Sequence, residues 1–435
     1  MSLSRSSNGD RVPATFDNLS LSSHLSSISI LLAGLLLWPA LVLSTSQAQD
    51  ATCENGNGAY SARFASGVTV SVGAIRKGAF AERACFAKLI WNGQEIPVVS
   101  NAGEVGIDVL GADLGFGKPV VAFQIDKSGS GSGRVYQIFS LAKPPRLLYM
   151  ITGGDTYSAA DNDLDNQVEI WTDDAVGVEG FERLPLKDLD FVPTVVLRFE
   201  KRHLIDVSPE FQSHFDAQIS AVRGHLDPRD LADFKRSDGV LSPSKLRSSE
   251  ELHRLIRTKI AVLEIVWSFL YSGRESEAWS ALDDMWPSSD VERIRVAISN
   301  ARQHGILKGV DRSSRGPSRK HHAKIYDAVG SSSGNVQMSM NPAGGAPDTN
   351  IDPPVTQPKS ILLRRPPPEA GGSLSRQDEI VELVVDSAGK VRSAKIVNGV
   401  DKKLVDATSG WHFIPAFRDT QPVACRFRLE VWNLQ

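Results

Sequence analysis

Residues 380–399 read IVELVVDSAGKVRSAKIVNG, and residues 404–432 continue LVDATSGWHFIPAFRDTQPVACRFRLEVW. The runs IVELVVD and KVRSAKIV alternate around a tight Asp386–Gly389 turn, which predicts a β-hairpin with one packed face. Leu404–Ala407 has helical character and is cut short by Gly410. Trp411, Phe413 and Phe417 follow as large apolar anchors for the sheet, and Pro415 stops the ladder. An Asp419/Gln421-Pro422-Val423 turn leads to a last strand, Arg426–Asn433, placed to form a sheet edge.

Upstream, residues 51–207 read as β-structure. Seven short β-branched and aromatic runs, from VTVSVGA (68–74) to TVVLRFE (194–200), are separated by Gly, Asn, Asp and Pro clusters. Asn92-Gly93 between two of them is a hairpin signal, and SGSGSG (128–133) a strand connection. An antiparallel sandwich or partial propeller is expected. From residue 208 the period changes to that of helices, with Ser208 as a candidate N-cap. Ile260, Leu263, Val266, Trp267 and Leu270 form one apolar face, and Tyr271-Ser272-Gly273 joins that helix to a second carrying Ala278, Leu282 and Met285. Val291–Ala301 adds a third. The hairpin is similar to a tetratricopeptide unit, without a clean 34-residue repeat, so residues 208–310 read as a small helical bundle. Residues 311–365 lose periodicity and are rich in Pro, Gly and Ser, the composition of a spacer. Its basic cluster around His321 and His322 reads as a solvated run.

A net charge of −3 over 435 residues gives no electrostatic reason to expect nucleic acid. At the N-terminus an apolar run, Ile28–Leu43, follows a Ser-rich stretch and ends in the small-x-small pattern Ser46-Gln47-Ala48. The run is short for the roughly twenty residues of a membrane span. Residues 1–48 therefore read as a secretory signal peptide, with a membrane anchor as the alternative; either way the bulk of the chain is exported. Cys53 and Cys85 both lie in the β-rich region and can form a disulfide, the alternative being two free thiols. Cys425 has no obvious partner.

The chemistry-bearing motif of the β region is Asp161-x-Asp163-x-Asp165-Asn166-Gln167-x-Glu169. Alternating carboxylates on a short loop place hard oxygens around one point, which suits a structural Ca²⁺; Gln167 adds a backbone carbonyl and Glu169 a further carboxylate. An acidic turn without metal is the alternative. The loop resembles the calcium loops of FG-GAP or integrin-type propeller blades, with Asn166 in place of the usual Gly. It fits an EF-hand less well, since Thr172 stands where a Glu belongs. Asp113-Leu114-Gly115-Phe116-Gly117 is a second Gly-rich turn of that kind. HExxH and a complete phosphate loop are missing from the sequence, so the chain does not read as an enzyme.

The order of the C-terminal hairpin, short helix, Trp411-x-Phe413-x-Pro415-Ala416 and closing strand resembles the C-terminal domain of the TonB family, periplasmic energy transducers of Gram-negative bacteria. The resemblance covers residues 366–435. The family's anchor-helix motif, Ser-x-x-x-His, is matched in spacing by Ser20 and His24, ahead of the apolar run rather than within it. The resemblance implies that a segment of an outer-membrane receptor, or of another envelope protein, adds as a strand along the backbone of Phe427, Arg428, Leu429, Glu430, Val431 and Trp432. Strand addition suits that role because main-chain hydrogen bonds supply affinity with little side-chain demand. The expected chain is thus a multidomain α+β protein: an antiparallel β domain, a helical bundle and a TonB-like C-terminal α+β domain. Its expected place is the periplasm or inner membrane, with a link to TonB-type transmembrane transport or, alternatively, a scaffold role.

Overall fold

The computed structural model of the chain describes residues 51–76, 83–127, 133–189, 191–242, 248–312, 324–328, 355–362, 380–398 and 402–430. The leader 1–48, most of the stretch read as spacer (with His321 and His322), Val431 and Trp432 lie outside them. The described residues form a mixed α+β structure dominated by antiparallel sheets. None of their helices is long and apolar enough to cross a membrane.

Strand β1 (Thr52–Glu54) precedes an up-and-down meander of β2 (Tyr60–Arg63), β3 (Thr69–Arg76), β4 (Arg83–Trp91) and β5 (Gln94–Ala102). The β4–β5 turn has Asn92 and Gly93 at φ 49 and 74°, both in the left-handed region that an Asn-Gly hairpin turn needs. A second meander, β6 (Glu104–Leu110), β7 (Val120–Asp126), β8 (Val135–Ser140) and β9 (Leu147–Thr152), takes β1 onto the outer side of β6. A third comprises β10 (Tyr157–Ala160), β11 (Glu169–Asp173), β12 (Thr194–Glu200) and β13 (His203–Asp206), with helix α1 (Ala175–Val178) in the β11–β12 connection. The middle strands of the second sheet, β6, β7 and β8, are buried on both faces, whereas β9 at its edge is largely exposed. Val105, Ile107, Val121 and Phe123 pack with the first sheet, whereas Val109, Ala122, Tyr136 and Ile138 pack with the third. The three meanders therefore stack in chain order. Cys53 and Cys85 form a disulfide that ties β1 to β4.

Helices α2 (Gln212–His225), α3 (Pro228–Lys235), α4 (Ser249–Tyr271), α5 (Glu275–Met285) and α6 (Val291–His304) pack on the third meander through one shared core. Ser208 does not cap α2. It is buried in a short turn ahead of the helix, and its hydroxyl accepts the Val196 N–H at 2.8 Å. The C-terminal half of α4 is buried on every side, from Val262 and Leu263 through Ile265 to Tyr271. The single apolar face read from its sequence is too narrow, because α4 lies between the β sheet and its neighbouring helices. Strand β14 (Asp311–Arg312) then adds in parallel to β13.

Two more short strands fall in the stretch read as spacer: β15 (Tyr326–Asp327) and β16 (Lys359–Leu362). Each is too short to show a period; β15 adds to a larger sheet, whereas β16 pairs only with β19. The C-terminal unit has β17 (Ile380–Val385), β18 (Val391–Asn398), helix α7 (Lys402–Ala407), β19 (His412–Ile414), β20 (Ala416–Arg418), β21 (Gln421–Val423) and β22 (Cys425–Glu430). Its main sheet runs β15-β22-β17-β18, while β16 pairs with β19 and β20 with β21. Val381, Leu383, Val385, Leu404, Trp411 and Phe427 build its core.

Candidate functional site

The turn of the C-terminal hairpin is not exposed, as an isolated hairpin turn would be. Asp386, Ser387, Ala388 and Lys390 are all buried, and Ala388 belongs to the same apolar core as the third meander. Gly389 sits at φ 91° where a Cβ would meet the Phe413 carbonyl, so a glycine is required there. The Phe413 N–H in turn donates to Gly389 O at 2.8 Å.

The acidic loop stands directly against this turn. Asp161 is fully buried and accepts the Asp165 N–H (2.9 Å), the Asn166 N–H (3.1 Å) and the Ser387 hydroxyl (2.9 Å). Its own N–H donates to the Asp386 carboxylate at 3.1 Å, which also accepts the N–H groups of Ala388 and Lys390. Arg392 reaches Asn162 and lies 3.8 Å from Asp386. The backbone of Asn166 takes the positive φ that its position demands, 66°.

A deeper contact was not visible in the sequence. Asp108, inside β6, accepts the Tyr136 hydroxyl (2.6 Å), the Ala159 N–H (2.8 Å) and the Lys390 ammonium (2.7 Å). Lys390 also donates to the Asp108 carbonyl at 3.0 Å and lies 3.3 Å from His412 Nε2. One buried carboxylate thus joins the second meander, the third meander and the C-terminal hairpin. Its only sequence signal is a lone charge between Ile107 and Val109.

Of the five residues read as cation ligands, the structure gathers three. Asp161, Asp163 and Asp165 each place a carboxylate oxygen within 4.8 Å of the others, a spacing that oxygens around one Ca²⁺ satisfy. Gln167 instead turns onto Asp165, donating both its backbone and side-chain N–H at 2.7 Å. Glu169, fully buried at the start of β11, accepts the Asn162 N–H at 3.4 Å and lies 3.6 Å from Arg198. Arg198 commits its terminal nitrogens more closely to Glu210 (3.0 and 3.1 Å) and Glu200 (3.0 Å). Burial, reinforced by the neighbouring carboxylates, therefore pushes Glu169 up to about 9 and Asp161 up to about 7. Burial likewise raises Asp386 to about 6.

These shifts fix a sign. A carboxyl that ionises at a higher pH in the folded chain keeps its full contribution below the unfolded value and loses it as pH rises through the folded one. In chelator, the thermal midpoint should accordingly fall between pH 5 and 9, and Glu169→Gln should flatten that fall. Millimolar Ca²⁺ should raise the midpoint more at pH 8 than at pH 5, since ligation needs ionised carboxylates, and Asp163→Asn should remove the rise. A midpoint indifferent to Ca²⁺ at both pH values would mean the loop is only an acidic turn.

A cavity of about 320 Å³ opens over this junction, lined among others by Asp113, Gly115, Gln167, Arg198, Ser387 and Pro422. Both Gly-rich and acidic turns of the β region and the β21 turn of the C-terminal unit meet there. Asp113 organises its own turn by accepting the N–H groups of Gly115, Phe116 and Gly117 at 3.0, 2.8 and 3.0 Å.

Of the positions read as partner-binding, Phe427, Arg428, Leu429 and Glu430 lie on β22. Cys425, Phe427 and Leu429 face the core or its margin, while Arg426 and Arg428 are exposed. β22 pairs antiparallel with β17 along its length, Ile380 opposite Glu430 and Val385 opposite Cys425. On its other side it carries only β15, in parallel, with Tyr326 opposite Cys425 and Asp327 opposite Arg426. The strand expected at the edge is thus covered over its first two residues. The Arg426 carbonyl accepts the Ala328 N–H on that outer side. Alternation along a strand then directs the backbone groups of Arg428 the same way, and those of Phe427 and Leu429 toward β17. Among the described residues, nothing pairs with Arg428 on the outer side. No family model, curated protein or solved structure matches the chain.

Proposed function

We propose that this is an exported cell-envelope protein whose C-terminal unit docks a segment of a partner protein by strand addition along the outer side of β22. The observation that carries the proposal is the outer side itself. It already accepts a parallel strand at Ala424 and Arg426, and it continues past that strand at Arg428. The partner is an extended segment of an outer-membrane receptor or another envelope protein, in keeping with the TonB-like order of elements and a link to TonB-type transport. The Cys53–Cys85 disulfide supports an oxidising compartment, the periplasm of a Gram-negative bacterium, as does the leader-like N-terminal sequence.

A second reading is favoured by a separate observation. The Asp108–Lys390 and Asp161–Ser387 contacts fix the C-terminal hairpin to the β region, so the docking edge is presented on a rigid body. That suits a scaffold, with a propeller-like stack of meanders and a loop suited to structural Ca²⁺, better than a transducer that is pulled. Strand addition is common to both readings. It is tested by comparing Arg428→Pro with Arg428→Ala for binding of synthetic segments taken from the periplasm-facing ends of outer-membrane receptors.

A further inference from the structure

Residues Lys324–Ala328, KIYDA, hold the outer side of β22 through side chains as well as backbone. The Tyr326 and Ala328 N–H groups donate to the carbonyls of Ala424 and Arg426 at 3.0 and 3.1 Å. Arg418 donates to the Tyr326 hydroxyl at 2.7 Å and lays its guanidinium 5.1 Å from the ring centre. The Lys324 ammonium lies 5.1 Å from the same ring. Asp327 faces Arg426 at 3.8 Å, and Ala328 is buried in the C-terminal core beside Val381, Leu383 and Phe427. An aromatic residue held by Arg418 and a buried small residue thus flank an exposed acid that faces Arg426.

We infer that Lys324–Ala328 is the chain's own occupant of the docking edge, and that a partner segment binds by displacing it. The inference rests on the strand-addition reading above. Two strands cannot share the carbonyls of Ala424 and Arg426, because each paired strand fills the 4.7–4.9 Å position beside its neighbour. Exchange of one strand for another conserves the main-chain hydrogen bonds, so the side chains decide which wins. The favoured partner segment runs parallel to β22 and reproduces the aromatic-acidic-small order of Tyr326-Asp327-Ala328. Arg428, unpaired on that side among the described residues, is where an incoming strand first gains hydrogen bonds. A self-occupied edge lowers apparent affinity by the fraction of chains in which it is vacant.

The test uses the full-length protein and a fluorescent peptide of its own sequence, HAKIYDAVG (322–330), followed by polarisation. Ala328→Pro removes the N–H that bonds Arg426. Asp327→Arg, a milder exposed change, sets like charge against Arg426. Wild type should bind the peptide weakly, Ala328→Pro at least about tenfold more tightly and Asp327→Arg about threefold more tightly. Deuterium uptake across Ala424–Arg428 should quicken in Ala328→Pro without peptide. Equal tight binding by all three proteins would overturn self-occupation and leave strand addition standing. No binding by any of them, with the faster uptake still seen in Ala328→Pro, would remove both: the edge would then be vacated but not a docking site.

Discussion

Lys390→Met should destabilise the folded chain by about 3–5 kcal/mol, the cost typical of breaking a buried ion pair by removing one partner. Among the described residues the Lys390 ammonium, at 2.7 Å, is the only cation paired with Asp108, and both groups are buried. Removing it leaves a carboxylate between three elements with only the Tyr136 hydroxyl and the Ala159 N–H to solvate it. Methionine keeps most of the stem's volume, so the loss reports charge rather than packing. The check is the urea midpoint, with Lys395→Met on the exposed side of β18 as the control, expected within about 0.5 kcal/mol of wild type. A loss below about 1 kcal/mol for Lys390→Met would mean that the hairpin is not held through Asp108.

Removing the disulfide should cost roughly 3–4 kcal/mol. The bridge closes a loop spanning 32 residues, and the chain-entropy relation gives that magnitude for a loop of such length. Both cysteines are fully buried in the core between the first two meanders. Cys53→Ala/Cys85→Ala should lower the urea midpoint of the oxidised protein, and a reductant should lower the midpoint of wild type but not of the variant. If reductant leaves wild type unchanged, the bridge is not a structural element of this chain, and the argument for an oxidising compartment loses its structural support.

How far the sequence foretold this arrangement depends on the range of the interaction involved. The Asp386–Gly389 turn and Asn92-Gly93 were legible because each is decided by the φ of one or two residues. The three acidic side chains that converge lie on one five-residue loop, Asp161 to Asp165, so their convergence is local too. Strand β6 alternates, Val105, Ile107 and Val109 against Gly106 and Asp108, so by pattern Asp108 belongs to a solvated face. Instead it is buried, because it meets Lys390 from 282 positions away in the chain. A charge buried by a distant partner cannot be told from a surface charge by periodicity. Ser208 shows the same limit: a serine ahead of a helix reads as a cap, but a passing strand, β12, claimed its hydroxyl first. The short strands β14, β15 and β16 have too few residues for any pattern; β14 and β15 exist because larger sheets offered them backbone partners, and β16 because β19 did.

The most direct measurement is binding of receptor-derived segments to full-length protein carrying either Arg428→Pro or Arg428→Ala. Proline removes one N–H from the outer side of β22 while leaving the Phe427 and Leu429 ladder with β17 in place; alanine removes only the exposed side chain. Strand addition at this edge predicts at least about a tenfold loss for proline and less than about threefold for alanine. Equal affinities for the two variants, with the fold intact, would contradict it.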